Sequence, residues 1–477
     1  MSTGNETRPQ NALGDATVIN GFLSLPLGVA QQENLSRIGY LKMTPIQAAS
    51  LPLILAGHDV LAQAKTGSGK TVAFGLGLIQ GLVSADMVHT QALVLCPTRE
   101  LADQVTAELR LLARAKPNTR VQALVGGRSI TAQKQSLIKG AHIVVATPGR
   151  ALDHLNRASL DLGHVSMLVL DEADRMLEMG FAEDVEAIIG TTPENRQTLL
   201  FSATYPDAIA LMSERIQNNT RSVSVDATHA VGAIEQSFFE TSQDGRDAAL
   251  LSLYQYFRPS SSLVFCETRK DCERISQFLQ ANRIESLAIH GDLEQRERDA
   301  VLIQFANKSC PVLVATDVAA RGLDISNLEA VFNYQPPRDG STYLHRIGRT
   351  GRAGERGRAA TLFTSNEERR LASIEEAVGE PCKREVLERL HTDPQFSLNG
   401  VMATLELNAG RKQKLRPGDL LGALTGDGQI PGDCIGKITI LDQRAFVAID
   451  RRHAREATVF FSEGKVKGRR LRARRLR

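Results

Sequence analysis

Met167-Leu168-Val169-Leu170-Asp171-Glu172-Ala173-Asp174 is a run of apolar residues that stops abruptly on carboxylates. An unbroken apolar run reads as a strand buried on both faces, since a half-exposed strand would alternate with polar residues. Similar runs stand at Ala92–Cys96, His142–Ala146 and Thr198–Phe201. A second series follows at Ser262–Cys266, Ser286–Ile289, Pro311–Ala315 and Ala330–Asn333. Helix-like segments separate them, which indicates parallel strands. Two such series predict two α/β lobes, each with helices on both sides of its sheet.

Working outward, residues 1–20 are a polar, mixed N-terminal tail and 21–225 the first lobe. Asp226–Gln236 has few apolar residues and reads as an interlobe linker, with the second lobe at 237–380. Residues 381–400 carry Pro381, Pro394 and polar side chains and read as a second linker. Beyond it, strands are expected at Val401–Leu407, Cys434–Leu441, Ala445–Ile449 and Arg469–Leu476. Helices are expected at Leu415–Leu424 and His453–Phe461. That β-α-β-β-α-β order predicts a small α+β RNA-binding sheet domain over 401–477.

Charge supports the division. Residues 401–477 hold 17 Lys and Arg against 8 Asp and Glu, a balance of +9. With +3 for the whole chain, residues 1–400 carry −6. A basic end on a slightly acidic body suggests a nucleic-acid-binding appendage. Aromatics are only 5% and Trp is absent, so backbone contacts should outweigh base stacking. The six cysteines form no CxxC pair and no His cluster joins them, the pattern of core thiols in a reducing compartment. No run approaches the roughly 18 apolar residues of a spanning helix, and the first twenty residues hold no apolar signal segment. The expectation is a soluble, intracellular (cytoplasmic) protein.

The chemistry begins at Ala64-Lys65-Thr66-Gly67-Ser68-Gly69-Lys70-Thr71, which follows the short apolar segment Asp59–Ala62. It fits the phosphate-binding loop, with Ala64 replacing the usual first glycine. Glycines let the backbone wrap so that successive N–H groups meet phosphate oxygens, and the next helix adds its positive end. Lys70 would reach the β- and γ-phosphates, and Thr71 would offer a hydroxyl to Mg²⁺. Asp171, at a strand end opposite such a loop, is where Mg²⁺ is held, and Glu172 is placed to orient and deprotonate the attacking water.

The four residues Asp171–Asp174 also resemble the signature of the DEAD-box ATP-dependent RNA helicases, and the likeness extends over about residues 20–375. The resemblance implies two RecA-like lobes followed by a small domain like an RNA-recognition motif (RRM), with ATP and Mg²⁺ as cofactors. Gly39-Tyr40 and Thr44-Pro45-Ile46-Gln47 look like the adenine-reading Q motif, with Phe22 as its upstream aromatic. Gln47 has a donor and an acceptor for the adenine edge, and Tyr40 offers a ring to the base. Phe22 taken alone could equally be a packing residue. His345-Arg346-Ile347-Gly348-Arg349-Thr350-Gly351-Arg352 matches the motif that delivers arginine fingers to the γ-phosphate. By that resemblance Arg349 and Arg352 act there, His345 helps couple the lobes, and Asp324 contacts the ribose.

Other motifs suit a phosphate backbone. Pro97-Thr98-Arg99, Gly126-Gly127-Arg128 and Thr147-Pro148-Gly149-Arg150 offer hydroxyls, N–H groups and Arg, which position RNA without reading sequence. Arg99, Gly127, Thr147, Gly149 and Arg150 are the candidates in the first lobe. Thr268, the Gln295/Arg298 pair and Thr316-Asp317 match the family's positions in the second. Ser202-Ala203-Thr204 matches the motif that links ATP state to strand separation.

Residues 401–477 resemble the accessory domain of the DbpA family of these helicases, carried by residues 415–426, Ile435-Gly436-Lys437-Ile438 and Gly464-Lys465-Val466-Lys467-Gly468-Arg469. An RRM sheet stacks bases on central aromatics, whereas the strand around Arg444–Asp450 offers only Phe446. RNA is therefore expected on another surface, with Lys465, Lys467 and Arg469 as candidates. Residues 465–477 hold eight basic residues and no acid, which fits RNA phosphates and also a solvated basic tail. The resemblance implies a large-subunit ribosomal RNA hairpin as target, pre-ribosomal particles as partners, and a role in large-subunit assembly by a monomer. Two other readings stay open: an ATP-gated RNA clamp that marks a site, and a DNA helicase.

Overall fold

The computed structural model describes residues 21–64, 67–83, 89–205, 207–225, 234–320, 325, 327–351 and 356–476. The chain divides into two compact units after residue 226.

The first unit holds a seven-stranded sheet: β1 (Val60–Gln63), β2 (Ala92–Leu95), β3 (Val121–Leu124), β4 (Ile143–Ala146), β5 (Met167–Asp171), β6 (Gln197–Ser202) and β7 (Arg221–Ser224). Their order is β3-β4-β2-β5-β6-β1-β7, and every neighbour is parallel. Alternation along β2 shows why its run is unbroken. Ala92 and Val94 enter one core with Phe74 and Phe201, while Leu93 and Leu95 enter the other with Leu168 and Leu170. Helices on both faces leave no solvent side for a polar residue.

The second unit holds two sheets. The larger comprises β8 (Ile234–Glu240), β9 (Ser262–Cys266), β10 (Ser286–Ile289), β11 (Val312–Thr316), β12 (Ala330–Asn333), β13 (Gly357–Phe363) and β14 (Arg384–Glu385), all parallel, in the order β10-β11-β9-β12-β13-β8-β14. The smaller is antiparallel, β16-β17-β15-β18, from β15 (Met402–Leu407), β16 (Ile435–Ile440), β17 (Ala445–Asp450) and β18 (Ala473–Arg475). Helices Pro417–Thr425 and Ala454–Glu463 complete the β-α-β-β-α-β order and cover one face of it. The fold is thus two parallel-sheet α/β lobes followed by a small α+β domain.

Both expected linkers need correction. Ile234–Gln236 opens β8, so the first linker cannot extend to 236. Residues 381–400 are not a free tether. Arg384 and Glu385 pair with Phe238 and Phe239 of β8, while Leu387, Leu390, Phe396 and Leu398 pack on the second lobe's core. Apolar side chains spaced among prolines hid this packing. The last strand is shorter than Arg469–Leu476, because Arg469 instead closes a tight turn back to Val466.

All six cysteines are free, and Cys96, Cys266, Cys272 and Cys310 are buried. Among the described residues no helix is long and apolar enough to cross a membrane.

Candidate nucleotide site and RNA track

Because all strands of the first sheet run the same way, every strand-end motif emerges at one edge. The order then sorts them. β3, β4 and β2 lie side by side and lead into Gly126-Gly127, Thr147–Arg150 and Thr98-Arg99. β5, β6 and β1 lie side by side and lead into Asp171–Asp174, Ser202–Thr204 and the phosphate-binding loop. Residues suited to RNA and residues suited to ATP occupy adjacent halves of the same edge.

In the ATP half, Gly67 and Gly69 have φ of +79° and +93°, a left-handed backbone that favours glycine. Gly69 caps the helix Lys70–Gly81, which sets Lys70 in its first turn. Among the described residues the buried Lys70 ammonium has no hydrogen-bond partner, nor have the buried Ser68 Oγ and Asp171 Oδ1. Buried polar atoms without partners are costly. A cation, a hydroxyl and a carboxylate left open together suit a phosphate group with its divalent metal. Burial pushes the Asp171 carboxyl up to about 6, against the pull of Lys70 and with the push of Glu172. Thr71 follows on the same helix and is half-buried. Lys65 and Thr66 lie outside the described residues, as do Asp324 and Arg352.

Glu172 is buried and left-handed, with φ 53° and ψ 51°. A non-glycine residue there costs about 1–3 kcal/mol, and such conformations cluster at functional sites. Asp174 was not singled out from the sequence, yet it links the ends of β5 and β6. Its Oδ2 accepts from Ala203 N (3.1 Å), Thr204 N (2.9 Å) and Thr204 Oγ1 (2.9 Å). The carboxylates and the Ser202–Thr204 segment are therefore wired together. Three converging bonds come from one β5–β6 pairing, which a linear motif does not display.

The Q-motif residues meet the phosphate loop directly. Gln47 Nε2 donates to Gly69 O at 3.0 Å, and its Oε1 accepts from Thr44 N at 2.9 Å. Both ends expected to read adenine are thus engaged inside the lobe. Phe22 is buried in the core beside Tyr40, their ring centres 6.5 Å apart. Tyr40 O–H donates to Glu108 Oε1 at 2.9 Å. Phe22 accordingly has the packing position that its sequence reading left open.

In the RNA half, Thr98 and Thr147 each begin a helix, and Arg99 lies against the backbone of Gly126. Gly127 has φ +71°. Gly149 and Arg150 sit in the first turn of Pro148–Asn156, where Arg150 donates to Arg128 O at 3.1 Å.

The second lobe repeats the sorting. β10, β11 and β9 are neighbours and lead to the helix Gln295–Ala306, to Thr316-Asp317 and to Thr268. Arg298 in that helix donates to Ala319 O at 2.8 Å. β12 leads to the helix Gly340–Ile347, which carries His345 and Arg346. Arg346 is buried and makes a bidentate pair with Asp317, both bonds 2.7 Å, plus bonds to Asn333 Oδ1 and Gln335 O. That clamp fixes the turn on which Arg349, itself buried, stands.

Comparison with known proteins agrees with this geometry. A model of the DEAD/DEAH box helicases matches residues 44–212, the helicase conserved C-terminal domain matches 245–354, and the DbpA RNA binding domain matches 404–475. The chain is 49% identical over 452 residues to the ATP-dependent RNA helicase DbpA of Escherichia coli, covering 94% of this chain and 97% of that one. It belongs to the DbpA family of DEAD-box ATP-dependent RNA helicases. The DEAD-box helicase CshA of Geobacillus kaustophilus is 44% identical over 361 residues, 75% of this chain and 77% of that one. Among solved structures, S. cerevisiae Dbp5 bound to RNA and ADP BeF3 aligns with 77% of this chain and 96% of its own at 30% identity and a TM-score of 0.70. Mss116p bound to ssRNA and AMP-PNP aligns with 76% of this chain and 77% of its own at 30% identity and a TM-score of 0.69.

The DbpA-type domain brings Lys465, Lys467 and Arg469 to an exposed tight turn, with Lys467 paired to Asp419 at 2.7 Å. That turn abuts the loop after β15, where Lys467 also donates to Lys414 O at 3.3 Å. Exposed Arg411, Lys412, Lys414 and Arg416 of that loop extend the basic rim. The run Arg411–Lys414 was legible as basic, but only the fold places it beside 465–469.

Proposed function

We propose that the chain uses ATP to separate short RNA duplexes locally while its C-terminal domain holds large-subunit ribosomal RNA, as a cytoplasmic monomer serving large-subunit assembly. The observation that carries this is the sorting of motifs along one sheet edge, with Asp174 bonded across to Ala203 and Thr204 within the ATP half.

On this reading Lys70 and the loop Ala64–Thr71 hold the phosphates, and Gln47, Tyr40, Thr44 and Phe22 shape the adenine end. Asp171 and Thr71 would hold Mg²⁺, which neutralises charge on the phosphate oxygens. Glu172 takes the proton of the attacking water. Arg349 and Arg352 supply positive charge to the phosphoryl group, with His345 coupling it to the RNA side and Asp324 at the ribose. Arg99, Gly127, Thr147, Gly149, Arg150, Thr268, Arg298 and Thr316 hold the strand by its backbone. A few base-pair steps at about 1.4 kcal/mol each lie within one ATP cycle.

Glu172→Gln tests the chemistry. Loss of a general base lowers turnover by about 10²–10⁴-fold. Turnover equal to that of the unaltered protein would remove Glu172 from the role. Duplex release by the same variant separates a helicase from a clamp that only binds. Truncation at Gly400 tests the tether, and undiminished preference for ribosomal RNA in the truncated chain would sink it.

A further inference from the structure

Two buried polar side chains of the first lobe belong to none of the motifs, yet they stand between two motifs that suit RNA. Gln133 lies on the helix Ile130–Ile138, which follows the Gly126-Gly127 turn. His154 lies on the helix Pro148–Asn156, which opens at Thr147 and carries Gly149 and Arg150. Gln133 is 4% exposed and His154 0%. Buried amides and imidazoles are costly unless hydrogen-bonded, so their partners are informative.

Those partners form one chain. Gln133 Nε2 donates to Val125 O at 2.9 Å. With its nitrogen engaged there, Gln133 Oε1 is left to accept, and His154 Nε2 lies 3.1 Å from it. A neutral imidazole carries a single N–H. The proton is therefore on Nε2, and Nδ1 accepts from Ser159 Oγ at 2.9 Å. Burial pushes His154 below its ordinary value and Arg150 adds to that, which favours the neutral ring.

The chain of bonds controls both turns. A trans peptide is planar, with its N–H opposite its C=O. Val125 O is drawn toward Gln133, so the N–H of the same peptide, on Gly126, points the other way. Leu124 O, one residue earlier, accepts from Thr147 N at 3.2 Å. Thr147 and His154 are about two helical turns apart and share a face. The helix that carries Gly149 and Arg150 is thus held at two points to the consecutive carbonyls of Leu124 and Val125, the second through Gln133. The second lobe has the same strand order, with β10 in the place of β3. There Arg298 is the fourth residue of the helix after β10, as Gln133 is of the helix after β3, and it too donates to a backbone carbonyl, that of Ala319.

We propose that Gln133 and His154 are positioning residues for RNA. They aim the Gly126 N–H and fix the Thr147–Arg150 turn relative to it, so that both turns engage one RNA backbone together. The inference rests on the reading of this sheet edge as an RNA track.

The test uses the full chain and a short fluorescein-labelled oligouridine RNA, with AMP-PNP present, followed by fluorescence anisotropy. Nucleotide affinity is measured in parallel with a fluorescent ATP analogue. Gln133→Met keeps the volume and removes both bonds. His154→Phe keeps a ring and strands Gln133 Oε1, whereas His154→Gln keeps an N–H within its reach. Gln133→Met and His154→Phe should weaken RNA binding by about two- to tenfold, the worth of one hydrogen bond, at unchanged nucleotide affinity. His154→Gln should bind RNA as the unaltered chain does. Unchanged RNA binding in Gln133→Met and His154→Phe would overturn the proposal. So would an equal loss of nucleotide affinity, or weak RNA binding by His154→Gln, since either makes the pair a packing element only. Should His154→Phe not fold, Gln133→Met and His154→Gln decide. Arg150→Ala separates the two levels. If it binds RNA as tightly as the unaltered chain, the reading of the edge as an RNA track fails, and the proposal with it. If it binds more weakly while the Gln133 and His154 variants do not, the positioning role alone fails.

Discussion

Single residues carry the strain and the wiring of the nucleotide site. Gly69 is left-handed, and a Cβ there would lie 2.4 Å from Gln47 Nε2. Gly69→Ala should therefore cost about 1–2 kcal/mol in backbone conformation alone. It should also break the Gln47 bond to the phosphate loop. Weaker binding of a fluorescent ATP analogue, with thermal unfolding followed in parallel, checks it. Asp174 gathers three hydrogen bonds on one carboxylate oxygen, and bonds to a charged group contribute about 1.5–3 kcal/mol each. Asp174→Ala should lower the stability of the first lobe by a few kcal/mol. It should also depress duplex release more than RNA-independent ATP turnover. Equal loss of both activities would count against a linking role. These cases show what a sequence discloses at this scale. Lys70, Asp171 and Glu172 were legible as candidates because phosphate and metal chemistry needs those residue types at that spacing. The partners of Asp174 and the inward turn of Gln47 were not, because each depends on strands brought together from distant segments.

Among the elements, the central strands announced themselves and the marginal ones did not. β2, β4, β5, β9 and β11 are covered on both faces and read as continuous apolar runs. β7, Arg-Ser-Val-Ser, is an edge strand with mostly exposed side chains and carries no such signal. β14 is two polar residues held by pairing with β8, with Arg384 also ion-paired to Glu368 and lying over the Phe363 ring. Polar residues can also be structural deep inside. Arg246 is 1% exposed at the ends of β12 and β13, where it bonds Tyr334 O, Leu362 O and the Glu367 carboxylate. Removing one partner of a buried ion pair costs about 3–5 kcal/mol, since the other charge is left stranded. Arg246→Ala should destabilise the second lobe by that amount in denaturant unfolding. A change under about 1 kcal/mol would mean that water replaces the guanidinium freely.

For the whole molecule, the sequence disclosed two lobes, an added domain and its basic charge. It did not disclose that the segment before that domain is packed. The basic rim has a measurable signature. Each phosphate contact on single-stranded RNA adds about 0.7 to the salt dependence of log K. Replacing Lys465, Lys467 and Arg469 by Gln should therefore reduce that slope by about 2. An unchanged slope would return 465–469 to the status of a solvated turn. The pairing of Arg384 and Glu385 with β8 has a different consequence. Without it, β8 would present Phe238 and Phe239 on an open sheet edge, a template for pairing with other chains. A fragment of the second lobe ended at residue 380 should aggregate, whereas one extended past Glu385 keeps its edge closed and should remain monodisperse.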